Sequence, residues 1–253
     1  MNISTIIGVI IITLSVSVAQ DVDELIEKIY QANQIQDADI DSLTNYKFKQ
    51  KINFVKLDGD DEIEEQSMRE YEVLVKSDKD RKRNLLSAKN YEDGEWREVT
   101  EEQEKKKRKS EGQEFSLNEI VGPEYRNKYE FDIIGNETIY NYPVIHIKVD
   151  CLEEDDTLFG GDLWIHQEEY AVVKASLIPA EFPTGIEYMK MDLEMDQING
   201  HWLPKQIHMD AEISFLFIFS GKIKSDILFY DYVFDVDIGD EIINENTSDK
   251  ETK

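Results

Sequence analysis

The sequence predicts a mostly β protein of the α+β class, in which a strongly curved antiparallel sheet forms an incomplete β-barrel. Three observations lead to this prediction. Seven segments in the second half of the chain resemble strands, and in two of them, Ile186–Ile198 and Lys205–Phe219, apolar residues alternate cleanly with polar ones, which is typical of strands with one dry and one wet face. Gly, Asn, Pro or acidic residues separate these segments, as antiparallel turns require. Helical periodicity is confined to short stretches, which we expect to cover the apolar concave face of the sheet.

The first predicted elements are one helix and two strands. Asp21 to Gln31 predicts an amphipathic helix, because its apolar residues recur at helical spacing and acidic residues occupy its first turn. Strands are predicted from Tyr46 to Phe54 and near Arg69 to Lys76, on either side of a turn at Asp58-Gly59-Asp60.

Two further helical stretches follow. Thr100 to Gln103 fits a capping box, in which two side chains satisfy free backbone N–H groups at a helix start. Glu104 to Lys109 contains nothing apolar, so we expect a solvated helix or a flexible excursion there. Phe115 to Val121 predicts a short helical patch that stops at Gly122-Pro123.

From residue 129 onward the chain is predicted to be nearly all strand. The predicted strands are Tyr129–Gly135, Tyr142–Cys151, Asp162–His166, Ala171–Ile178, Ile186–Ile198, Lys205–Phe219 and Lys222–Phe234. Long antiparallel strands with one wet face and one dry face imply a curved sheet or an open barrel.

Composition bounds the functions that the chain can have. Its 253 residues carry a formal net charge of −27, and 40% of them are hydrophobic, which is enough for a sizeable core. So acidic a chain is repelled by the phosphates of nucleic acids and by anionic lipid headgroups. One cysteine, Cys151, excludes an intramolecular disulfide and a multi-cysteine zinc site. Its neighbours at alternate positions, Ile147 and Val149, predict a place in the core.

The chain divides into three predicted parts. Residues 1–19 are interpreted as a cleaved signal peptide, because Ile6 to Val18 is uncharged but too short to span a bilayer, and Ser17-Val18-Ala19 resembles a cleavage site. An uncleaved anchor is the alternative, since Met1 to Thr5 lacks a basic residue. Residues 20–240 are predicted to form a single half-barrel domain, and residues 241–253 a polar tail.

The sequence contains none of the common catalytic motifs, and we predict that the protein is not an enzyme. The acidic clusters at Asp58–Glu65 and Glu153–Asp156 are interpreted as hairpin tips rather than calcium sites. The four histidines lack the spacing of metal ligands and are expected on strand surfaces; they are His146, His166, His201 and His208. We therefore expect no cofactor and no metal.

The candidate binding site is the dry face of the predicted sheet. Methionine and phenylalanine are concentrated there, and such a face can repack around ligands of variable shape. The predicted lipid-binding residues are Phe48, Ile52, Phe54, Met189, Met191, Met195, Ile207, Met209, Ile213, Phe215, Phe217 and Phe219. The alternative is an ordinary β core covered by the Asp21–Gln31 helix.

Three motifs carry a resemblance to a known family. Gly161-Asp-Leu-Trp-Ile165, followed by Tyr170-Ala-Val-Val-Lys174, is similar to a strand pair of the LolA/LolB-like outer-membrane lipoprotein-sorting superfamily, with His166 where Asp is usual. Asn199-Gly-His-Trp-Leu-Pro204 resembles the turn that follows in those proteins. Segments such as Arg69-Glu-Tyr-Glu-Val73 place the resemblance in an uncharacterised branch of the superfamily.

The resemblance implies a fold and a function. It implies an incomplete barrel wrapped over helices, whose apolar interior holds acyl chains of lipids or lipoproteins. We therefore expect a periplasmic, monomeric, non-catalytic carrier for lipoprotein sorting or lipid transport, with envelope transport proteins as possible partners and no nucleic acid. The alternative is an envelope sensor or protein-interaction module that uses the same half-barrel without lipid transfer.

Overall fold

The computed structural model describes residues 21–42, 45–76, 81–107, 118–215 and 219–238. The predicted signal peptide, the polar tail from residue 241, and Phe115, Leu117 and Phe217 lie outside these ranges. Within them, no helix is long and apolar enough to cross a membrane.

Eleven strands of the described chain form one antiparallel sheet that does not close. The strands are β1 Tyr46–Leu57, β2 Ile63–Val75, β3 Arg81–Glu92, β4 Glu95–Glu98, β5 Tyr129–Ile139, β6 Tyr142–Cys151, β7 Phe159–His166, β8 Val172–Pro179, β9 Ile186–Ile198, β10 His201–Phe215 and β11 Phe219–Val233. Their order across the sheet is β4-β3-β2-β1-β11-β10-β9-β8-β7-β6-β5. The predicted fold class, mostly β with an open antiparallel sheet, is confirmed.

In the described ranges, helical structure is limited to short elements and one longer helix. The helices are α1 Val22–Ser42, α2 Glu101–Lys107 and α3 Asn118–Val121, with a 3-10 turn at Arg126–Lys128. Helix α1 is about twice as long as predicted. The prediction ended at Gln31 because the second half of the helix has no continuous apolar stripe, and Ile35 in that half is 63% exposed. Gln36 in this half donates a hydrogen bond from Nε2 to the carbonyl oxygen of Trp202, at 2.7 Å.

Helix α1 covers one wing of the sheet. Leu25, Ile26 and Ile29 are almost completely buried against inward residues of β5 to β8. We call this cluster the main core; its buried members are Leu25, Ile26, Ile29, Ile120, Val121, Tyr129, Ile145, Ile147, Val149, Leu158, Leu163, Ile165, Val172, Ala175 and Leu177. Cys151 packs against it, as its neighbours predicted, and burial raises the pKa of its thiol.

Two smaller clusters lie elsewhere on the sheet. The second core, in the wing formed by β1 and β2, consists of Tyr46, Tyr71, Val73 and Val75. The third cluster, near the turns that follow β7 and β9, consists of Val144, Ala171, Val173 and Trp202. The apolar side chains of the described chain are thus divided between separate packed regions rather than gathered into one.

A glycine of the first motif is required by close packing between strands. Gly161 has a φ of 135°, and a Cβ at this position would lie 2.1 Å from the backbone oxygen of Ser176 on β8. No side chain fits at that distance, so β7 and β8 can approach each other here only with glycine.

Candidate functional site

Strand register places the predicted dry-face residues on one face of the sheet. Met209 on β10 lies opposite Met191 on β9 and Ser225 on β11. Ile227 on β11 in turn lies opposite Ile52 on β1. Directly opposed residues in an antiparallel pair point to the same side. Because Met191 packs against the main core, this is the face that α1 covers.

Four of the predicted residues contact packed clusters. Met191 packs against the main core, Phe48 and Ile52 against the second core, and Met195 against the third cluster. Phe48 also lies with its ring centroid 5.1 Å from that of Tyr232. Each of these four side chains is therefore packed against other side chains of the protein on at least one side.

Five other members of the predicted set form a separate feature: Phe54, Met189, Ile207, Met209 and Ile213. They are half-buried, and within the described residues they belong to none of the three clusters. Together with two residues of β11 on the same face, they form what we call the apolar strip: Phe54, Met189, Ile207, Met209, Ile213, Ile223 and Ile227. The strip crosses β1, β11, β10 and β9 and lies between the main core and the second core.

Sequence reasoning missed the two β11 members of the strip. Ile223 lies opposite Ala211, and Ile227 lies opposite Ile207. The sequence could have predicted them, because Ile223 and Ile227 lie an even number of positions apart in the predicted strand from Lys222 to Phe234 and therefore point to the same face. Phe215 ends β10 and is paired with Phe219 at the start of β11, so the predicted strand from Lys205 to Phe219 was drawn too long: Phe219 belongs to the next strand.

A buried ion pair lies on the same face beside the second core. Arg69 on β2, opposite Ile52, donates from Nε to Oε2 of Glu104 on α2 at 2.8 Å. Tyr71 donates from its hydroxyl to Oε1 of the same carboxylate at 3.0 Å. Arg69 is 8% exposed and Glu104 is 7% exposed. The prediction that residues from Glu104 onward form a solvated helix or a flexible excursion is therefore wrong for Glu104. Its carboxylate is buried because it pairs with Arg69, which is distant in the sequence.

The start of α2 agrees with the sequence. The backbone N–H of Thr100 donates to Oε1 of Gln103 at 2.9 Å, and the backbone N–H of Gln103 donates to Oγ1 of Thr100 at 3.4 Å. This reciprocal pair is the predicted capping box, and it fixes where the helix begins.

The opposite, wet face carries charged side chains between the strands. On β10, His208 lies with Nδ1 2.7 Å from Oδ1 of Asp226 and with Nε2 3.0 Å from Oδ2 of Asp210. The hydrogen bond with Asp226 raises the pKa of His208, burial opposes this shift, and Asp210 adds to it. Within the described residues, no group of three or more His, Cys, Asp or Glu side chains is arranged to hold a metal ion.

A cavity of about 440 Å³ lies where α1 meets two turns of the sheet. We call it the turn cavity; it is lined by Lys28, Gln31, Ala32, Ile35, Gln36, Asp39, Glu169, Tyr170, Ala171, Gly200, His201 and Trp202. Trp202 donates from Nε1 to Oε2 of Glu169 at 2.6 Å. Two of the sequence motifs, starting at Tyr170 and at Asn199, thus meet at one place.

The histidine of the first motif lies behind this cavity. His166 is 8% exposed and packs against the rings of Trp202 and Tyr142. Its Nδ1 accepts a hydrogen bond from the backbone N–H of Glu169 at 3.2 Å. The prediction of a surface position is wrong for His166, because the turn after β7 folds back over its ring.

Comparison with known proteins gives structural neighbours at low identity. No protein-family model matches the sequence, and no curated protein matches it. A DUF1329 family protein from Desulfovibrio piger is 13% identical with a TM-score of 0.37, over 85% of this chain and 95% of that one. A putative outer membrane lipoprotein-sorting protein domain from Vibrio parahaemolyticus is 9% identical with a TM-score of 0.40, over 87% and 98%. A LolA superfamily protein from Nitrosomonas europaea is 14% identical with a TM-score of 0.35, over 89% and 98%. The chain is thus similar to solved structures that include the LolA superfamily, which its sequence motifs also resemble.

Proposed function

We propose that the chain is a monomeric, non-catalytic periplasmic carrier that binds the acyl chain of a lipid or lipoprotein along the apolar strip. The observation that carries this proposal is the strip itself, whose half-buried apolar side chains lie between two packed cores on the helix-covered face. Isolated apolar residues are common on protein surfaces, whereas contiguous apolar patches mark binding sites.

The size of the strip suits one acyl chain. Ile207 and Ile213 lie six positions apart on one strand, which corresponds to about 20 Å at the usual rise. One acyl chain spans half of a hydrocarbon core that is about 30 Å thick, so it is no longer than this stretch of β10. A buried methylene contributes about 0.8 kcal/mol, so a sixteen-carbon chain represents on the order of 12 kcal/mol that a carrier must shield from water.

The proposal is tested with the full chain, secreted and purified without detergent. Native mass spectrometry is expected to find bound acyl ligand, and a fluorescent fatty acid is expected to bind once that ligand is removed. Met209→Asp is expected to weaken this binding at least tenfold, because an unpaired charge is strongly disfavoured in an apolar site.

A matched control is available on the wet face. Met68 on β2 is also half-buried, but it lies opposite Asn53, on the other side of the sheet from Arg69. Met68→Asp is therefore expected to bind the probe as the unmodified chain does, with thermal melts showing that both variants fold. Unchanged binding by Met209→Asp, or an equal loss in Met68→Asp, contradicts the proposal. Capture of an envelope protein without any bound lipid supports the protein-interaction alternative instead.

A further inference from the structure

The turn cavity has the dimensions of a small-molecule site and is distinct from the apolar strip. Its volume of about 440 Å³ falls within the range of about 300 to 1,000 Å³ that is usual for ligand pockets. Three segments far apart in the sequence build it: α1 from Lys28 to Asp39, the turn between β7 and β8, and the turn between β9 and β10.

Part of the cavity wall is apolar and aromatic. Ala32 and Ile35 contribute from α1, and Tyr170 and Trp202 contribute rings from the two turns. Tyr170 has a φ of 55°, a left-handed conformation that is costly for an aromatic residue. Strained residues of this kind persist where the surrounding structure over-determines them, and they cluster at binding sites.

Asp39 and Glu169 both line the cavity and, with Lys28 as the one lysine of the lining, leave it with a negative charge; the carboxylate that bonds to the turn residues is that of Glu169. It accepts hydrogen bonds from Trp202 Nε1 at 2.6 Å and from Gln197 Nε2 at 3.1 Å, and both donors are neutral. These bonds fix the orientation of the carboxylate without neutralising it. Lys28, the lysine of the lining, pairs with Glu24 at 2.7 Å and lies with Nζ 5.5 Å from the centroid of the Tyr170 ring.

We propose that the turn cavity binds a ligand that carries an ammonium group on a short apolar body. The ammonium group binds the carboxylate of Glu169 through a charge-assisted hydrogen bond. The apolar body contacts Ala32 and Ile35. The net charge of −27 draws cations toward the chain and repels anions, so it favours the same class of ligand.

Three probes of equal length separate charge from apolar contact. Hexylammonium, hexanol and hexanoate are titrated into the full chain by isothermal titration calorimetry. Hexylammonium is expected to bind at least tenfold more tightly than hexanol, and hexanoate is expected not to bind. All three titrations use the Met209→Asp variant, because short apolar probes would otherwise also bind along the proposed acyl site of the apolar strip. In this variant the probes report on the turn cavity alone, whether or not the unmodified chain carries an acyl ligand.

Two glutamates side by side provide the variant and its control. Glu169→Gln keeps an acceptor for the Trp202 indole but removes the charge, and it is expected to abolish the preference for hexylammonium over hexanol. Glu168→Gln is the control, because this exposed neighbour does not line the cavity. Ala32→Phe, which fills the cavity from α1, is expected to weaken hexylammonium binding at least tenfold. Absence of hexylammonium binding, equal affinity for hexanol, unchanged binding by Glu169→Gln or an equal loss in Glu168→Gln overturns the proposal.

Discussion

Removing the carboxylate of Glu104 tests how strongly α2 is held to the sheet. Glu104→Ala leaves the Arg69 guanidinium buried without its counter-charge, and breaking a buried pair in this way costs about 3–5 kcal/mol. Arg69 retains three other acceptors within 3.0 Å, which are the carbonyl oxygens of Met68 and Lys89 and Oδ1 of Asn90. We therefore expect a loss near the lower limit, about 3 kcal/mol in the free energy of unfolding.

Urea denaturation followed by far-UV circular dichroism measures this loss. Single domains are stable by about 5–15 kcal/mol, so a change of 3 kcal/mol moves the midpoint clearly. Glu102→Ala is the control, because Glu102 lies on the same helix and is exposed. Replacing Arg69 and Glu104 together by methionine is expected to recover most of the stability, since no buried charge then remains. A loss below about 1 kcal/mol in Glu104→Ala, or no recovery in the double variant, would refute this reasoning.

Two further predictions concern His208 and Gly161. The pKa of His208 is raised in the folded chain, chiefly by Asp226, so its stabilising effect is full below the ordinary pKa of 6.5 and is lost as the pH rises through the raised value. His208→Gln is therefore expected to lower the urea midpoint at pH 5.5 but not at pH 9, and a difference that does not vary with pH contradicts this assignment. Gly161→Ala is expected to cost more than about 1 kcal/mol, because its methyl group overlaps the backbone of Ser176. Gly135→Ala is the control, since a Cβ there meets open space, and equal losses in the two variants would show that close packing is not the cause.

Several strands were predictable from the sequence because their alternation is strict. The predicted bounds of β6 and β9 agree with the structure. The turn after β9 was also recognisable, because Asn-Gly is the preferred sequence of a two-residue hairpin loop. In the structure, Asn199 and Gly200 both have the positive φ values that such a loop requires. Strand β3 was missed for a physical reason. Tyr71 pairs with Leu85 and Glu70 with Ser87, so Leu86 is an unpaired bulge residue that interrupts the period of two.

The candidate site was predictable only in part. Periodicity placed Phe54 and Met209 on the dry face, because that inference depends on neighbouring positions in a single strand. The contact between Arg69 and Glu104 joins residues 35 positions apart, and nothing local to Glu104 indicates burial. The turn cavity depends on the second half of α1. The sequence shows no continuous apolar stripe there, and its Ile35 is exposed. Such features follow from tertiary packing, which a single sequence read locally does not contain.

The strand order has a consequence for how the sheet assembles. Strands β1 to β4 and strands β5 to β11 each pair in sequence with their neighbours, so both groups are built from local hairpins. A single seam joins the two groups, the pairing of β1 with β11, in which Ile52 meets Ile227 from opposite ends of the chain. Closing so long a loop opposes pairing until many contacts can form together, and non-local strand pairs are therefore slow to form. The apolar strip crosses this seam, so the surface to which we assign acyl binding exists only once the first and last strands of the sheet have met.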